Sequence, residues 1–115
     1  MYIMNKFIQE HIMILVTTDF ISGKELETLQ LVKGSVVVSK NVVRDVFAGL
    51  KTIIGGELKG YTELLNDARR IATERMMGEA VMMGADAIIE VRFVTSEIMA
   101  AAAEVTVYGT AVKFR

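Results

Sequence analysis

Residues 61–95 read YTELLNDARRIATERMMGEAVMMGADAIIEVRFVT, and the period of their apolar residues changes from helical to extended within this stretch. Up to Met83 the apolar side chains recur every three or four residues, which is typical of a helix with one apolar face. These positions are Leu64, Leu65, Ala68, Ile71, Ala72, Met76, Ala80 and Met83. Thr62 is a suitable N-cap and Gly84 a suitable stop, so we predict a helix from Thr62 to about Met83.

Beyond Gly84 the apolar residues alternate with polar ones, which indicates strands. We predict a strand over 87–95 that places Ile89, Val91 and Phe93 on one face. The other face then carries Ile88, Glu90, Arg92 and Val94. A further strand is predicted over 104–114, where every second residue from Val105 to Ala111 faces the same side.

Two strand signals and a second helical pattern stand upstream. Residues 13–17 form a short apolar run, and residues 25–39 contain Gly34, so they are either one long strand bent at that glycine or two short strands. Asn41 is a suitable N-cap for a first helix that ends at Gly55-Gly56, with a loop over 57–60 behind it. The resulting order is β-β-α-α-β-β. It predicts an α+β subunit with an antiparallel-rich sheet covered by two helices.

The composition indicates one small domain with more apolar surface than it can hide. The chain has 115 residues, of which 52% are hydrophobic and 23% are charged. A domain of this size buries only about two thirds of its unfolded surface. We therefore expect part of the apolar excess to be buried between identical subunits. The net charge of −1 gives no field that would favour nucleic acid or a membrane as a partner.

The chain contains no cysteine, and this restricts both its chemistry and its compartment. Disulfides, thiolate metal ligands and cysteine nucleophiles are excluded, and a cytoplasmic location is expected. No apolar run reaches the roughly 18 residues of a membrane-spanning helix. Residues 1–12 lack the apolar core and cleavage site of a signal peptide. We predict that residues 1–12 are an N-terminal extension and that residues 13–115 form the domain.

Several motifs resemble the YbjQ-like family and follow one another in the same order as they do there. NVVRDVFAGLK at 41–51 and IIGG at 53–56 resemble the central signature of that family. GYTE at 60–63 and Ala68-Arg69 resemble the entry to its second helix. GADAII at 84–89 and GTAV at 109–112 resemble the entry to its third strand and its C-terminal strand. The similarity spans roughly residues 13–114.

The resemblance implies an α+β subunit that assembles with copies of itself into a ring. A pentamer is the expected ring, and stacked pentamers are a further form. The family also carries a heavy-metal-binding label without established biochemistry. Because a fold does not settle a function, that label has to be tested against the ligands that this chain offers.

Metal-ligating residues are scarce in this sequence. Soft and borderline ions prefer Cys, Met or His, and the single histidine, His11, lies in the predicted extension, where it is a weak candidate ligand. Some of the eight methionines could offer thioether ligands to copper(I). However, Met76, Met77, Met82 and Met83 occupy helix positions where core packing is the usual explanation. The sequence leaves any cofactor unknown.

Five polar residues are candidates for ligand or interface contacts, namely Asn41, Arg44, Asp45, Glu90 and Arg92. Asp45 is favourable near a helix N-terminus, and Arg44 is suited to an ion pair across a subunit boundary or to an anion. For Glu90 and Arg92 the main interpretation is a solvated strand face or an intersubunit ion pair.

No catalytic residue is predicted. The glycine-rich residues 55–60 follow a helix and lack the glycine-lysine-hydroxyl ending of a phosphate-binding loop. The single histidine also gives no basis for a Ser-His-Asp arrangement. The leading hypothesis is a ring-forming homo-oligomer without catalytic activity, with a structural or ligand-binding role. The alternatives are a metal-ion-binding protein, as the family label implies, and an enzyme with an intersubunit site for a small anion.

Overall fold

The computed structural model of the chain describes residues 13–39, 56–99 and 102–115, with side chains described from Thr62 onward in the second range. Within these ranges lie β1 (Ile14–Leu15), β2 (Leu26–Ser39), α1 (Gly56–Met82), β3 (Ala87–Met99) and β4 (Ala102–Phe114). The first predicted helix, over 41–54, falls outside the described residues. No helix in the described ranges has both the length and the apolar character that crossing a bilayer requires.

The four described strands form one mixed sheet in the order β1-β3-β4-β2. Strand β1 pairs with β3 in parallel, whereas β4 is antiparallel to both β3 and β2. The predicted α+β class and the antiparallel-rich sheet are confirmed. The predicted layout with two helices is not confirmed, because α1 is the one helix in the described residues.

Helix α1 begins at Gly56 and not, as predicted, at Thr62. The predicted loop over 57–60 is wrong, because these residues belong to the helix. The prediction relied on Thr62 as the N-cap, but the helix continues upstream through Gly60, since a glycine inside a helix costs only about 1 kcal/mol relative to alanine. The rest of a long helix that packs on a sheet offsets a cost of that size.

The predicted end of α1 is confirmed, and its geometry explains why Gly84 is needed there. The N–H of Gly84 donates to the Val81 carbonyl at 3.0 Å, and the N–H of Ala85 donates to the Ala80 carbonyl at 3.0 Å. These two bonds form a Schellman motif, in which the residue after the helix takes a left-handed conformation. Gly84 does so, with a φ of +76°.

Strand β2 is one long strand, so the alternative of two short strands is wrong. Its irregularity lies between Thr28 and Gln30 and not at Gly34. Gly34 is needed for a different reason, namely the closeness of α1. A Cβ atom at this position would overlap the carbonyl oxygen of Ala72 and would lie 2.7 Å from the backbone nitrogen of Met76. The helix therefore rests directly on the strand backbone.

Strand β3 contains a bulge that overturns the predicted assignment of its faces. Its register with β4 shifts between Ile89 and Arg92, and Glu90 has a φ of 55°. An inserted residue reverses the alternation beyond it. Ile88 and Val91 consequently share the core beneath α1, while Ile89 belongs to the cluster on the opposite face. The prediction that Ile89 and Val91 share a face is therefore wrong.

The core lies where α1 covers β2 and β4. It is built from small and medium-sized side chains, namely Val32, Ala72, Met76, Ala80, Ile88, Val91, Val107 and Ala111. A second cluster on the other sheet face contains Ala87, Ile89 and Val112, packed against Val16, Ile21, Leu26 and Phe114. Both clusters draw on β3 only between Ala87 and Val91, so residues 92–99 lie outside them.

Candidate functional site

The distal half of β3, residues 92–99, has a strand neighbour on one edge only among the described residues. Strand β4 pairs with it along that edge. Strand β1 reaches only Ala87 and Ile88 on the other edge. Every residue from 92 to 99 is exposed. An edge of this kind presents unpaired N–H and C=O groups to solvent, and in this form it can add a strand from another chain.

The distal half of β3 also carries large apolar side chains. Phe93 is 51% exposed, Ile98 is 50% exposed and Met99 is 65% exposed. Phe93 lies opposite Val107, on the face that bears α1, while Val94 lies opposite Thr106 on the other face. Burying apolar surface stabilises a protein by about 25 cal/mol per Å². While the apolar side chains on both faces of this half of β3 remain in water, the protein does not gain that stabilisation. An open edge flanked by apolar side chains is typical of an interaction site.

The sheet face opposite α1 carries a short chain of polar groups on β4 and β2. The hydroxyls of Ser35 and Thr106 are 2.9 Å apart, and the Thr106 hydroxyl donates to Oε1 of Glu104 at 3.3 Å. Glu104 lies opposite Ser96 in the register of β3 and β4. These two hydroxyls are hydrogen-bonded to each other, and the Thr106 hydroxyl is also bonded to the Glu104 carboxylate. These bonds tie the side chains of β2 and β4 together on this sheet face.

Two sequence-predicted candidates, Glu90 and Arg92, lie at the bulge, where they hold residues 16–18 against β3. The N–H of Glu90 donates to the Thr18 carbonyl at 3.0 Å. The guanidinium of Arg92 donates to the Thr17 carbonyl at 2.9 Å and to the Val91 carbonyl at 3.0 Å. The structure thus gives Arg92 a structural contact within the subunit.

The two carboxylates of Glu90 and Glu104 are not brought together. Glu90 lies at the bulge beside residues 16–18, whereas Glu104 lies opposite Ser96, near the far end of β3. A pair of acid and base groups at these positions is therefore not supported. The remaining candidates, Asn41, Arg44 and Asp45, and the weak metal candidate His11 lie outside the described residues.

Replacing Arg92 with methionine is expected to destabilise the fold by about 1 kcal/mol, because two carbonyls lose a charged donor at a partly solvated site. Chemical denaturation measures the change in unfolding free energy. The matched control is Arg69→Met. Among the described residues the guanidinium of Arg69 bonds the exposed Asn66 of its own helix at 3.0 Å, so its loss should stay within about 0.5 kcal/mol. Equal losses in the two variants would contradict the structural role of Arg92.

The family follows from a match along the domain. The family model described as "Putative heavy-metal-binding" matches residues 13–115. This chain belongs to the YbjQ-like family. The resemblance indicated by the motifs at 41–56 and 84–89 is thereby confirmed. A UPF0145 protein of Clostridium novyi (strain NT) is 65% identical over 101 residues, which cover 88% of this chain and 98% of that protein.

Two further relatives from other organisms are also named UPF0145 protein. A UPF0145 protein of Alkaliphilus metalliredigens is 58% identical, with 89% of this chain and 99% of that protein covered. One of Thermotoga maritima is 54% identical, with 88% and 96% covered. Among solved structures, a DUF74-family protein of unknown function from Pediococcus pentosaceus superposes with a TM-score of 0.63 at 15% identity, covering 90% of this chain and 98% of that one. At this identity the similarity establishes the fold alone.

The heavy-metal description of the YbjQ-like family is not matched by a donor set in the described part of this chain. Within it, no group of three or more His, Cys, Asp or Glu side chains is placed to hold a metal ion. Met76 is fully buried, and Met77 and Met83 pack against the same core, which confirms the packing interpretation for these three. It is wrong for Met82, which is 79% exposed.

Proposed function

We propose that this YbjQ-like chain is the subunit of a ring-forming, cytoplasmic homo-oligomer that has no catalytic activity of its own and serves a structural or ligand-binding role. The observation that carries the proposal is the distal half of β3, an exposed strand edge flanked by Phe93, Val94, Ile98 and Met99. The hydrophobic fraction of 52% agrees with an apolar surface that a neighbouring subunit covers.

If this edge binds a different surface of the next copy, the contact between subunits is head-to-tail, and repeating that contact can produce a ring. A head-to-tail contact closes into a ring when the rotation between subunits divides a full turn. The family resemblance gives the pentamer as the expected ring, with stacked pentamers as a further form. Stable obligate interfaces bury upward of about 2,000 Å² in total, which requires the sheet face beside β3 as well as its edge. On the sheet face opposite α1, where Val94 also lies, β2 adds the exposed apolar side chains Leu31 and Val37.

The assembly is tested by the mass of the full-length chain in solution, measured by light scattering over a hundredfold range of concentration. We expect one species, with a mass that is a fixed multiple of the 12.7 kDa chain and that persists at low micromolar concentration. A chain that stays monomeric at all concentrations would overturn the proposal.

The alternative function is metal-ion binding, which the family description favours. Its test is thermal melting of chelator-treated protein with a panel of divalent and monovalent metals. A metal at a hundred times its Kd stabilises the folded state by about 2.7 kcal/mol, which corresponds to roughly 10 °C for a domain of this size. We expect no shift of that size with any metal. A reproducible shift with one metal would make metal binding the better proposal. Small anions in the same panel test the hypothesis of an enzyme with an intersubunit anion site, which predicts a shift with an anion.

A further inference from the structure

In the region beyond β1, the two edges of the sheet are the distal half of β3 and the outer side of β2. The two edges differ in how many of their backbone groups are bonded, and the cause is α1. Among the described strands, β2 is the edge strand on the side opposite to β1. It pairs with β4 on its inner side along its whole length. In an antiparallel pair, the backbone groups of alternate residues point away from the partner strand. Those groups of β2 form a second edge at which another chain could add a strand.

Two side chains of α1 reach over this second edge and bond two of its backbone groups. Oε1 of Glu79 accepts a hydrogen bond from the Lys33 N–H at 3.0 Å. The guanidinium of Arg75 donates to the Ser35 carbonyl at 2.6 Å. Glu79 thus supplies an acceptor to the Lys33 N–H, and Arg75 supplies a donor to the Ser35 carbonyl. The sequence pattern alone suggests a pair between Arg75 and Glu79 at i and i+4, but in the structure each bonds the strand.

The geometry that permits this reach depends on Gly34, which lies between the two bonded residues of β2. Because Gly34 has no side chain, the Ala72 carbonyl and the Met76 nitrogen come into contact with the strand backbone. The helix is therefore close enough for residues one turn apart, Arg75 and Glu79, to reach the backbone of Lys33 and Ser35. Residues at i and i+4 are about 6 Å apart on a helix surface, close to the two-residue repeat of a strand at about 6.8 Å.

We propose that Arg75 and Glu79 close the β2 edge against other copies of the chain and so limit the assembly to a closed form. The inference rests on the proposed function in one respect, namely that the distal half of β3 pairs with a neighbour. If that strand could also add to the β2 edge of another copy, the sheet would continue from subunit to subunit, and a head-to-tail contact that does not close grows into a filament. With Lys33 and Ser35 already bonded, an incoming strand would first have to displace two charge-assisted hydrogen bonds.

The test compares Glu79→Ala with Glu79→Gln and Glu74→Ala in the full-length chain. Glutamine keeps an oxygen that can accept from the Lys33 N–H. Glu74 forms an ion pair with Arg70 at 3.2 Å on the same helix, so Glu74→Ala removes the same charge without touching the edge. We expect the amide of Lys33 to exchange its hydrogen about tenfold faster in Glu79→Ala than in the unmodified chain, and at the native rate in the two controls.

The second readout is the mass distribution, with thioflavin T fluorescence and sedimentation for large species. We expect Glu79→Ala, and more strongly Arg75→Ala combined with it, to form species above the native mass, while Glu79→Gln and Glu74→Ala keep the native mass. A folded Glu79→Ala variant with an unchanged mass distribution would overturn the edge closure and leave the proposed assembly standing. Larger species in Glu74→Ala as well would also overturn it, since the cause would then be net charge. A monomeric unmodified chain would refute the proposed assembly, independently of the variants.

Discussion

Gly34→Ala is expected to lower the unfolding free energy by about 3 kcal/mol, at the upper end of what an added methyl group usually does in a packed core. The new Cβ atom would overlap the carbonyl oxygen of Ala72 and lie 2.7 Å from the nitrogen of Met76. Both obstructing atoms belong to the backbone of α1, so no side chain can rotate away. The helix would have to shift outward, which opens the core around Val32 and Met76.

The measurement for Gly34→Ala is chemical denaturation followed by circular dichroism, with thermal melting alongside. A loss of about 3 kcal/mol corresponds to a melting temperature lower by roughly 10 °C in a domain of this size. Gly23→Ala is the matched control, because a Cβ there meets nothing within 4 Å although φ is +76°. It should lose only about 1 kcal/mol, from backbone strain. Equal losses in the two variants would mean that α1 does not rest on the β2 backbone.

Placing lysine at both Phe93 and Ile98 is expected to dissociate the assembly into folded monomers. Both side chains are about half exposed within the subunit, so their replacement should hardly change the stability of the single domain. In an interface, losing a buried apolar anchor costs about 2 kcal/mol or more, and an unpaired buried charge adds to that. Two such changes weaken association by roughly a thousandfold.

Light scattering at a fixed concentration gives the mass of the Phe93→Lys, Ile98→Lys double variant, and circular dichroism reports whether it remains folded. The control is Met82→Lys, which replaces a 79% exposed apolar residue at the end of α1, away from the distal half of β3. That variant should keep the native mass. An intact assembly in the double variant would show that the subunit contact lies elsewhere.

The elements with a strong and uninterrupted period could be predicted from the sequence. The end of α1 at Gly84 was predictable because a glycine after a long apolar period is the usual requirement of a Schellman motif. The family was predictable from motifs that follow one another in order. The single long strand over 25–39 was one of two readings, because a glycine inside a strand does not reveal whether it marks a break or a close contact with another element.

The misjudged features depend on interactions between elements that are distant along the chain. The bulge at Glu90 inserts one residue without altering the apolar composition, so the alternation beyond it was assigned to the wrong faces. The start of α1 was missed because Thr62 was taken as the N-cap, whereas the helix begins at Gly56. The role of Arg75 and Glu79 was missed because their spacing also predicts an ion pair within the helix. The exposed edge at Ile98 and Met99 was missed because the predicted strand ended at residue 95, whereas β3 continues to Met99.

Hydrogen exchange along the distal half of β3 tests most directly whether this edge is the subunit contact. In an isolated subunit, the alternate amides of residues 92–99 that point away from β4 have no strand partner among the described residues and should exchange rapidly. In the assembled full-length chain we expect those amides to exchange at least tenfold more slowly, and to lose that protection in the Phe93→Lys, Ile98→Lys variant. Rapid exchange at these amides in an intact assembly would contradict the account.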